Sequence, residues 1–162
     1  MEFFTLKQVS ERIASRKEDV DLVARRVRHW TNEKLIDTVD KPHSGKGRHR
    51  RYHQEGLMIA AILWELSRYD VPIGVLEKIL PALDELADEY IQKAAVGKMN
   101  ATIIRDTLSG TTPLWLAVIY DEAKRDFICR YIRVRSGIQR LIEDDSVIIL
   151  NIRKITHRVN NP

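Results

Sequence analysis

The chain has 162 residues, of which 44% are hydrophobic and 31% charged, and its formal net charge is +4 at pH 7. This composition is ordinary for a globular protein and excludes a chain that is disordered throughout. The single cysteine, Cys129, excludes an internal disulfide and the cysteine-rich zinc sites.

The positive charge is concentrated at the start of the chain. Residues 1–53 contain 13 Lys and Arg against 8 Asp and Glu, a net charge of +5. Residues 54–162 contain 14 against 15, a net charge of −1. We therefore expect a polyanionic partner to bind the first third of the chain.

The sequence contains no signal for export or membrane insertion. The first residues lack the basic start and apolar core of a signal peptide. The longest apolar run, residues 57–64, is far shorter than the roughly 20 residues that a membrane span requires. We expect a soluble cytoplasmic protein.

A short first helix is predicted from its cap and its apolar spacing. Thr5 can cap it, and Leu6, Val9 and Ile13 then share one face because they are three and four residues apart. The charged patch at residues 15–19 separates this helix from the next.

A second helix follows the patch, with Asp19 or Asp21 as its N-cap. Its buried stripe consists of Val20, Val23, Val27 and Trp30. Arg25, Arg28 and His29 share the opposite face. In a helix-turn-helix the second helix lies in the major groove, and this geometry requires an exposed basic face.

The segment at residues 41–53 is strongly basic and contains no acidic residue. Its cations are Lys41, Lys46, Arg48, Arg50 and Arg51. Gly45 and Gly47 favour a loop or tight hairpin over a helix. A basic helix followed by a basic hairpin suits a phosphate backbone, so the pattern predicts a DNA-binding winged helix-turn-helix.

Further helices are predicted beyond the hairpin. Residues 57–64 are apolar on nearly every side, which indicates a buried central helix. Helical spacing continues over residues 73–80, after Pro72. Residues 81–99 indicate a longer amphipathic helix whose apolar stripe can pair with a copy of itself.

The pattern changes to strands near the C-terminus. Residues 114–120, 127–134 and 147–155 are rich in Ile, Val or aromatic residues, and a turn is predicted at residues 121–126. Residues 136–143 indicate a short helix between the last two strands.

The predicted fold class is α+β. A winged helix-turn-helix is expected over residues 1–80, a linking helix over 81–99, and a small C-terminal antiparallel β-sheet module over 100–162.

Several segments resemble the MerR family of winged helix-turn-helix transcription regulators. They are the Thr-Leu-Lys-Gln-Val opening at residues 5–9, Val-Arg-His-Trp at 27–30, Leu-Ile at 35–36, His-Arg-Arg-Tyr at 49–52, and the segment 70–80. Lys34 stands where the family has a glycine. The resemblance covers about residues 3–80, and residues 100–162 match none of the effector modules we associate with the family.

The resemblance implies a set of DNA-binding residues and a two-fold dimer joined through a helix such as 81–99. Together with the basic residues noted above, the expected DNA contacts are Arg25, Arg26, Arg28, His29, Trp30, Lys46, Arg48, Arg50, Arg51 and Tyr52. Trp30 is in phase with the buried stripe, which favours a core position. Tyr52 is as well suited to pack beneath the wing as to hydrogen-bond a phosphate.

Neither a metal, a cofactor nor catalysis is expected. His49 and His53 are four residues apart but fall on a hairpin, with no carboxylate or thiolate beside them. The sequence contains no glycine-rich phosphate loop and no Gly-x-Ser-x-Gly motif. Cys129 alternates with Phe127 and Tyr131 along a predicted strand, which favours a packed residue over a redox sensor.

The function that these patterns favour is sequence-specific regulation of transcription. Its expected partners are double-stranded DNA, a second copy of the chain, and RNA polymerase or another protein. Two alternatives stay open: an architectural or recombination-type DNA-bending protein, and an interaction module that recruits a partner through the C-terminal sheet. RNA is less favoured, because the strands lack exposed aromatic pairs for base stacking.

Overall fold

The structure is a computed structural model that describes residues 3–39, 50–81, 115–132 and 147–161. It contains helices and small antiparallel sheets, so the predicted α+β class is confirmed. The chain divides into two compact units, Met1–Val71 with Arg158–Pro162, and Pro72–His157. Of the predicted helix at 81–99 only residue 81 is described, and the predicted helix at 136–143 lies outside the described residues.

The first helix, α1, spans Leu6–Ile13 and begins with the predicted cap. Thr5 Oγ1 accepts a hydrogen bond from the Gln8 backbone N–H at 3.3 Å, and Gln8 Oε1 accepts one from the Thr5 backbone N–H at 2.8 Å. This reciprocal pair is a capping box, which satisfies donors that a helix start leaves unpaired. Val9 and Ile13 are fully buried, so the predicted apolar face is the packed face.

The second helix, α2, spans Val20–Asn32 and packs against α1. Asp19 is its N-cap, since its Oδ1 accepts a hydrogen bond from the Asp21 backbone N–H at 2.8 Å. Val23, Val27 and Trp30 are buried as predicted, and the other stripe residue, Val20, remains exposed at the helix start.

The end of α2 has a left-handed residue in place of a glycine. Lys34 has a φ of 62°. Its N–H donates to the Thr31 carbonyl at 3.2 Å, and the Leu35 N–H donates to the Trp30 carbonyl at 2.8 Å. These two bonds form a Schellman motif, in which the left-handed position is usually glycine. The motif turns the chain so that Leu35 and Ile36 enter the core.

The described residues up to 81 also contain two short strands and two further helices. Strand β1, Phe4–Thr5, pairs antiparallel with β2, Arg51–Tyr52. Helix α3 spans Gln54–Ser67, and residues 73–81 form α4. Eight apolar residues of α3 are buried: Leu57, Met58, Ala60, Ala61, Ile62, Leu63, Trp64 and Leu66. The predicted buried central helix is therefore confirmed.

The described strands of the second unit form a three-stranded antiparallel sheet in the order β4-β3-β5. Strand β3 spans Trp115–Asp121, β4 spans Asp126–Ile132, and β5 spans Val147–Asn151. Asp121 and Asp126 close the β3–β4 hairpin, so the predicted turn is confirmed. Ala117, Ile119 and Ile132 are buried on one face of the sheet.

The predicted third strand was too long. Strand β5 ends at Asn151, and Ile152–Asn160 form a helix, α5. Asn151 Oδ1 accepts a hydrogen bond from the Lys154 backbone N–H at 3.0 Å, which caps the helix. The β-branched residues favoured a strand locally, but Ile152, Ile155 and Val159 have helical spacing and are buried on one side of α5.

Candidate nucleic-acid interface

The exposed face of α2 is basic. Arg25, Arg28 and His29 are exposed and three or four residues apart, and Arg26 is exposed beside them. The buried valines and Trp30 hold the opposite side of the helix in the core. No carboxylate among the described residues forms an ion pair with any of the three arginines. Their charges are thus available to an external anion.

Two acidic residues mark the ends of this face. Asp21 is exposed near the start of α2. Glu33 follows the helix, and its Oε1 lies 3.8 Å from His29 Nδ1. A protonated His29 is therefore partly compensated by the protein, whereas the arginines between the two ends carry the uncompensated charge of the helix.

The basic loop is closed at its base. The Val39 N–H donates to the Arg51 carbonyl at 2.9 Å, so the chain entering residues 40–49 pairs with the chain leaving them. Such a bond is what a hairpin requires at its base. Lys46 and Arg48 lie outside the described residues.

A hydrogen bond joins the end of this loop to α2. Arg50 Nη2 donates to Asn32 Oδ1 at 2.8 Å. Asn32 is exposed and follows Arg28 and His29 by one helical turn, so it belongs to the same face of α2. The structure therefore brings Arg50 to the basic face of α2, and we call Arg25, Arg26, Arg28, Asn32 and Arg50 the α2 face.

Arg51 does not belong to the α2 face. Successive side chains of a strand point in opposite directions, and Arg51 faces Phe3, whose ring centroid lies 5.3 Å from the guanidinium carbon. The Phe3 ring also contacts the His53 ring edge-on, with centroids 5.2 Å apart. The two adjacent arginines, both expected on phosphates, thus have different neighbours: Arg50 contacts Asn32 and Arg51 contacts Phe3.

Trp30 and Tyr52 are corrections to the expected DNA contacts. Their side chains are 1% and 0% exposed. The Thr31 hydroxyl donates to the Val27 carbonyl at 2.8 Å, so it accepts from the Tyr52 hydroxyl, 3.1 Å away. The Tyr52 hydroxyl therefore donates its hydrogen bond to Thr31 and not to a phosphate. Both aromatics lie in the core beneath the α2 face, the position that the sequence analysis gave as the alternative to a DNA contact.

Sequence reasoning missed the residue that ties the start of α2 to α3. Glu18 Oε2 accepts hydrogen bonds from the Ser15 N–H at 2.7 Å and from Trp64 Nε1 at 3.2 Å, and Glu18 Oε1 lies 3.5 Å from Arg68 Nε. Burial raises the pKa of Glu18, but the hydrogen bonds from Ser15 and Trp64 and the charge of Arg68 outweigh it, so the pKa is lowered overall. Glu18 thus ties the loop immediately before the Asp19 cap to α3.

Other arginines of the first unit are bound to protein groups. Arg68 Nη1 lies 3.1 Å from Glu65 Oε2, and Arg158 Nη2 lies 2.6 Å from Glu65 Oε1. Arg12 Nη1 donates to the Val159 carbonyl at 2.9 Å. These three arginines, with their partners Glu18 and Glu65, form what we call the ionic network, which holds the end of α5 and the loop before α2.

The described residues contain few other candidate sites. No cluster of three or more His, Cys, Asp or Glu within them is placed to hold a metal ion. Burial raises the pKa of the Cys129 thiol to about 11, so this thiol is protonated at neutral pH and is a weak nucleophile. None of the described helices combines the length and the apolar content needed to cross a bilayer.

Comparison with known proteins assigns no family to the chain. No family model matches the sequence, and no curated protein matches it. The resemblance to the MerR family is thus a prediction that depends on the motif residues alone.

Proposed function

We propose that the first unit is a winged helix-turn-helix that binds double-stranded DNA and regulates transcription in the manner of the MerR family. Helix α2 is the recognition helix and lies in the major groove. The loop at residues 40–52 is the wing, and its cations bind the phosphate backbone. Helix α1 supports α2 from the protein side.

The observation that carries this proposal is the hydrogen bond from Arg50 to Asn32. A basic loop and a basic helix can each be an ordinary solvated surface. The hydrogen bond of 2.8 Å supports a shared surface, because it places the end of the loop beside the exposed arginines of α2. A major groove about 12 Å wide admits one α-helix. In our proposal α2 is that helix, and the loop that ends at Arg50 contacts the phosphate backbone beside the groove.

The proposal divides the cations by role. Arg25 and Arg26 lie in the first half of α2, the part of a recognition helix that reaches base edges, so they read sequence. Lys46, Arg48 and Arg50 contact phosphates and set the position of the protein on the duplex. His29 adds a ring N–H donor on the same side of α2.

The proposal includes a two-fold dimer, on the evidence of the sequence. The apolar stripe of residues 81–99 is the candidate pairing surface, and residues 82–99 lie outside the described part of the chain. A dimer would place two copies of α2 in successive major-groove segments and would require a two-fold-symmetric site. RNA polymerase or another protein would then be the second partner of a bound regulator.

The salt dependence of binding tests the proposal. With about 6 to 10 phosphate contacts per dimer, affinity for duplex DNA should fall by roughly 10³ to 10⁵ between about 50 and 200 mM salt. Fluorescence anisotropy with a labelled duplex measures this directly. An affinity that changes less than about tenfold over the same range would contradict the wing contacts. Selection from random duplexes should then return a two-fold-symmetric site.

A further inference from the structure

We infer that Asn32 is a direct contact to DNA, that its side-chain NH2 group donates to an acceptor on the duplex, and that Arg50 is the residue that orients it. Asn32 was not among the residues expected from the sequence. The inference rests on the proposed function, because it concerns the same surface, and it adds a donor whose direction the protein itself has fixed.

The orientation of the Asn32 amide follows from chemistry. The oxygen and nitrogen of an amide have nearly the same shape, so their assignment depends on their partners. A guanidinium carries donors and no acceptor. The Asn32 atom that lies 2.8 Å from Arg50 Nη2 must therefore be the oxygen, and the NH2 group occupies the other arm.

The Asn32 NH2 group donates no hydrogen bond within the described part of the protein. Asn32 is exposed, and the only hydrogen bond of its side chain among the described residues is the one from Arg50. Two N–H donors are thus presented beside the three arginines of α2. Because this is the side on which we propose that DNA binds, the donors meet acceptor atoms of the duplex.

Arg50 is suited to the positioning role because its head group is held by the protein. Its Nη1 atom is buried against the protein without a hydrogen-bond partner among the described residues, which restricts the guanidinium, and its Nη2 atom donates to Asn32. A guanidinium fixed in this way holds the amide oxygen toward the wing. An asparagine without such a partner suits adenine, since it accepts from N6 and donates to N7. Asn32 instead presents its NH2 group to the duplex. Two N–H donors suit a phosphate oxygen or an acceptor edge such as guanine O6 and N7.

Removal of the amide tests the contact. Asn32→Ala should weaken duplex binding by about 2- to 10-fold, the range for one hydrogen bond. A loss that is equal for all sequences in a random duplex library identifies a phosphate acceptor, and a loss confined to one base position identifies a base acceptor. Lys124→Ala, which removes an exposed cation of the second unit, should leave binding unchanged. If Asn32→Ala also leaves binding unchanged, the contact does not exist.

A double-mutant cycle tests the orientation by Arg50. Arg50→Ala removes a cation and should weaken binding to every duplex. In that background the further effect of Asn32→Ala should be smaller than in the wild type, because the amide has already lost its fixed direction. An equal effect in both backgrounds would show that Arg50 does not orient Asn32.

The failure of this inference is distinct from the failure of the proposed function. If the wild-type protein binds no duplex DNA, both the proposed function and the inference are wrong. A wild type that binds with the expected salt dependence, alongside an unchanged Asn32→Ala variant, removes only the inference. Since Asn32 is exposed, thermal unfolding of the variant should match the wild type and exclude a folding defect as the cause of weaker binding.

Discussion

Two regions of the first unit use arginine in opposite ways. In the ionic network, Arg12, Arg68 and Arg158 each bind a carboxylate or a carbonyl of the protein. On the α2 face, Arg25 and its neighbours are exposed and form no ion pair with a described carboxylate. The contrast separates arginines that are bound within the protein from arginines that we propose bind DNA, although both kinds look alike in the sequence.

The largest effect is expected in the core beneath the α2 face. Trp30→Ala should lower the free energy of unfolding by about 3 to 5 kcal/mol, the cost of removing a buried Trp side chain. Urea denaturation measures this value. A loss below about 1 kcal/mol would show that Trp30 is not part of the core and would restore it as a candidate DNA contact.

The next prediction concerns an exposed arginine of the α2 face. Arg26→Ala should weaken binding to a selected duplex by about 1 to 3 kcal/mol and relax the preference at one base position. Its free energy of unfolding should stay within about 0.5 kcal/mol of the wild type, because an exposed side chain without a protein partner is removed. Competition binding with single-base variants of the duplex measures the first effect.

The matched control is Arg158→Ala. This variant leaves Glu65 with one partner fewer and should lower the free energy of unfolding by about 1 to 3 kcal/mol, the range for a hydrogen bond to a charged group. Its affinity for DNA, measured below its unfolding transition, should not change. If both arginine variants affect the same quantity, the division between the ionic network and the α2 face is incorrect.

The local parts of this fold were predictable from the sequence, and the long-range parts were not. The cap at Thr5 and the spacing of Val23, Val27 and Trp30 are signals within one helical turn or two, and the structure follows them. The contact from Glu18 to Trp64 joins residues far apart in the chain, and no local pattern indicates it. Asn32 was missed for the same reason, because its role depends on Arg50.

The start of α5 shows how two local signals can conflict. Residues 147–155 are rich in β-branched side chains, which favour a strand. Asn151 is a good helix cap, and the isoleucines after it also have helical spacing. The capping hydrogen bond of Asn151 favours the helix, and strand β5 ends at that residue. Propensity alone could not reveal this, because the same residues satisfy both patterns.

Glu18 makes the ionic network sensitive to acid. Its pKa is lowered from an ordinary value of 4.5 by hydrogen bonds and by Arg68. A carboxyl whose pKa is lower in the folded state contributes stability above its unfolded pKa, and that contribution is lost as the pH falls through the folded value. The free energy of unfolding of the wild type should therefore fall below about pH 5, and Glu18→Gln should show less of this pH dependence. Equal pH profiles for the two proteins would exclude Glu18 as a source.

The smallest effect is expected where α2 ends. Lys34 has a positive φ of 62°, which costs a residue with a side chain about 1 kcal/mol. Lys34→Gly should raise the free energy of unfolding by less than about 1 kcal/mol, because the relief of strain is offset by the greater freedom of glycine in the unfolded chain. Thermal denaturation measures the change. A clear loss of stability would mean that the lysine side chain makes a contribution larger than its strain.

The central claim is that α2 and Arg50 form one surface for double-stranded DNA. Backbone amide NMR spectra recorded during a titration with duplex DNA test it most directly. The amides of Arg25, Arg28, Asn32 and Arg50 should shift together and saturate at the same DNA concentration, while that of Glu65 in the ionic network stays in place. Shifts that cluster around Glu65 and spare α2 would contradict the claim.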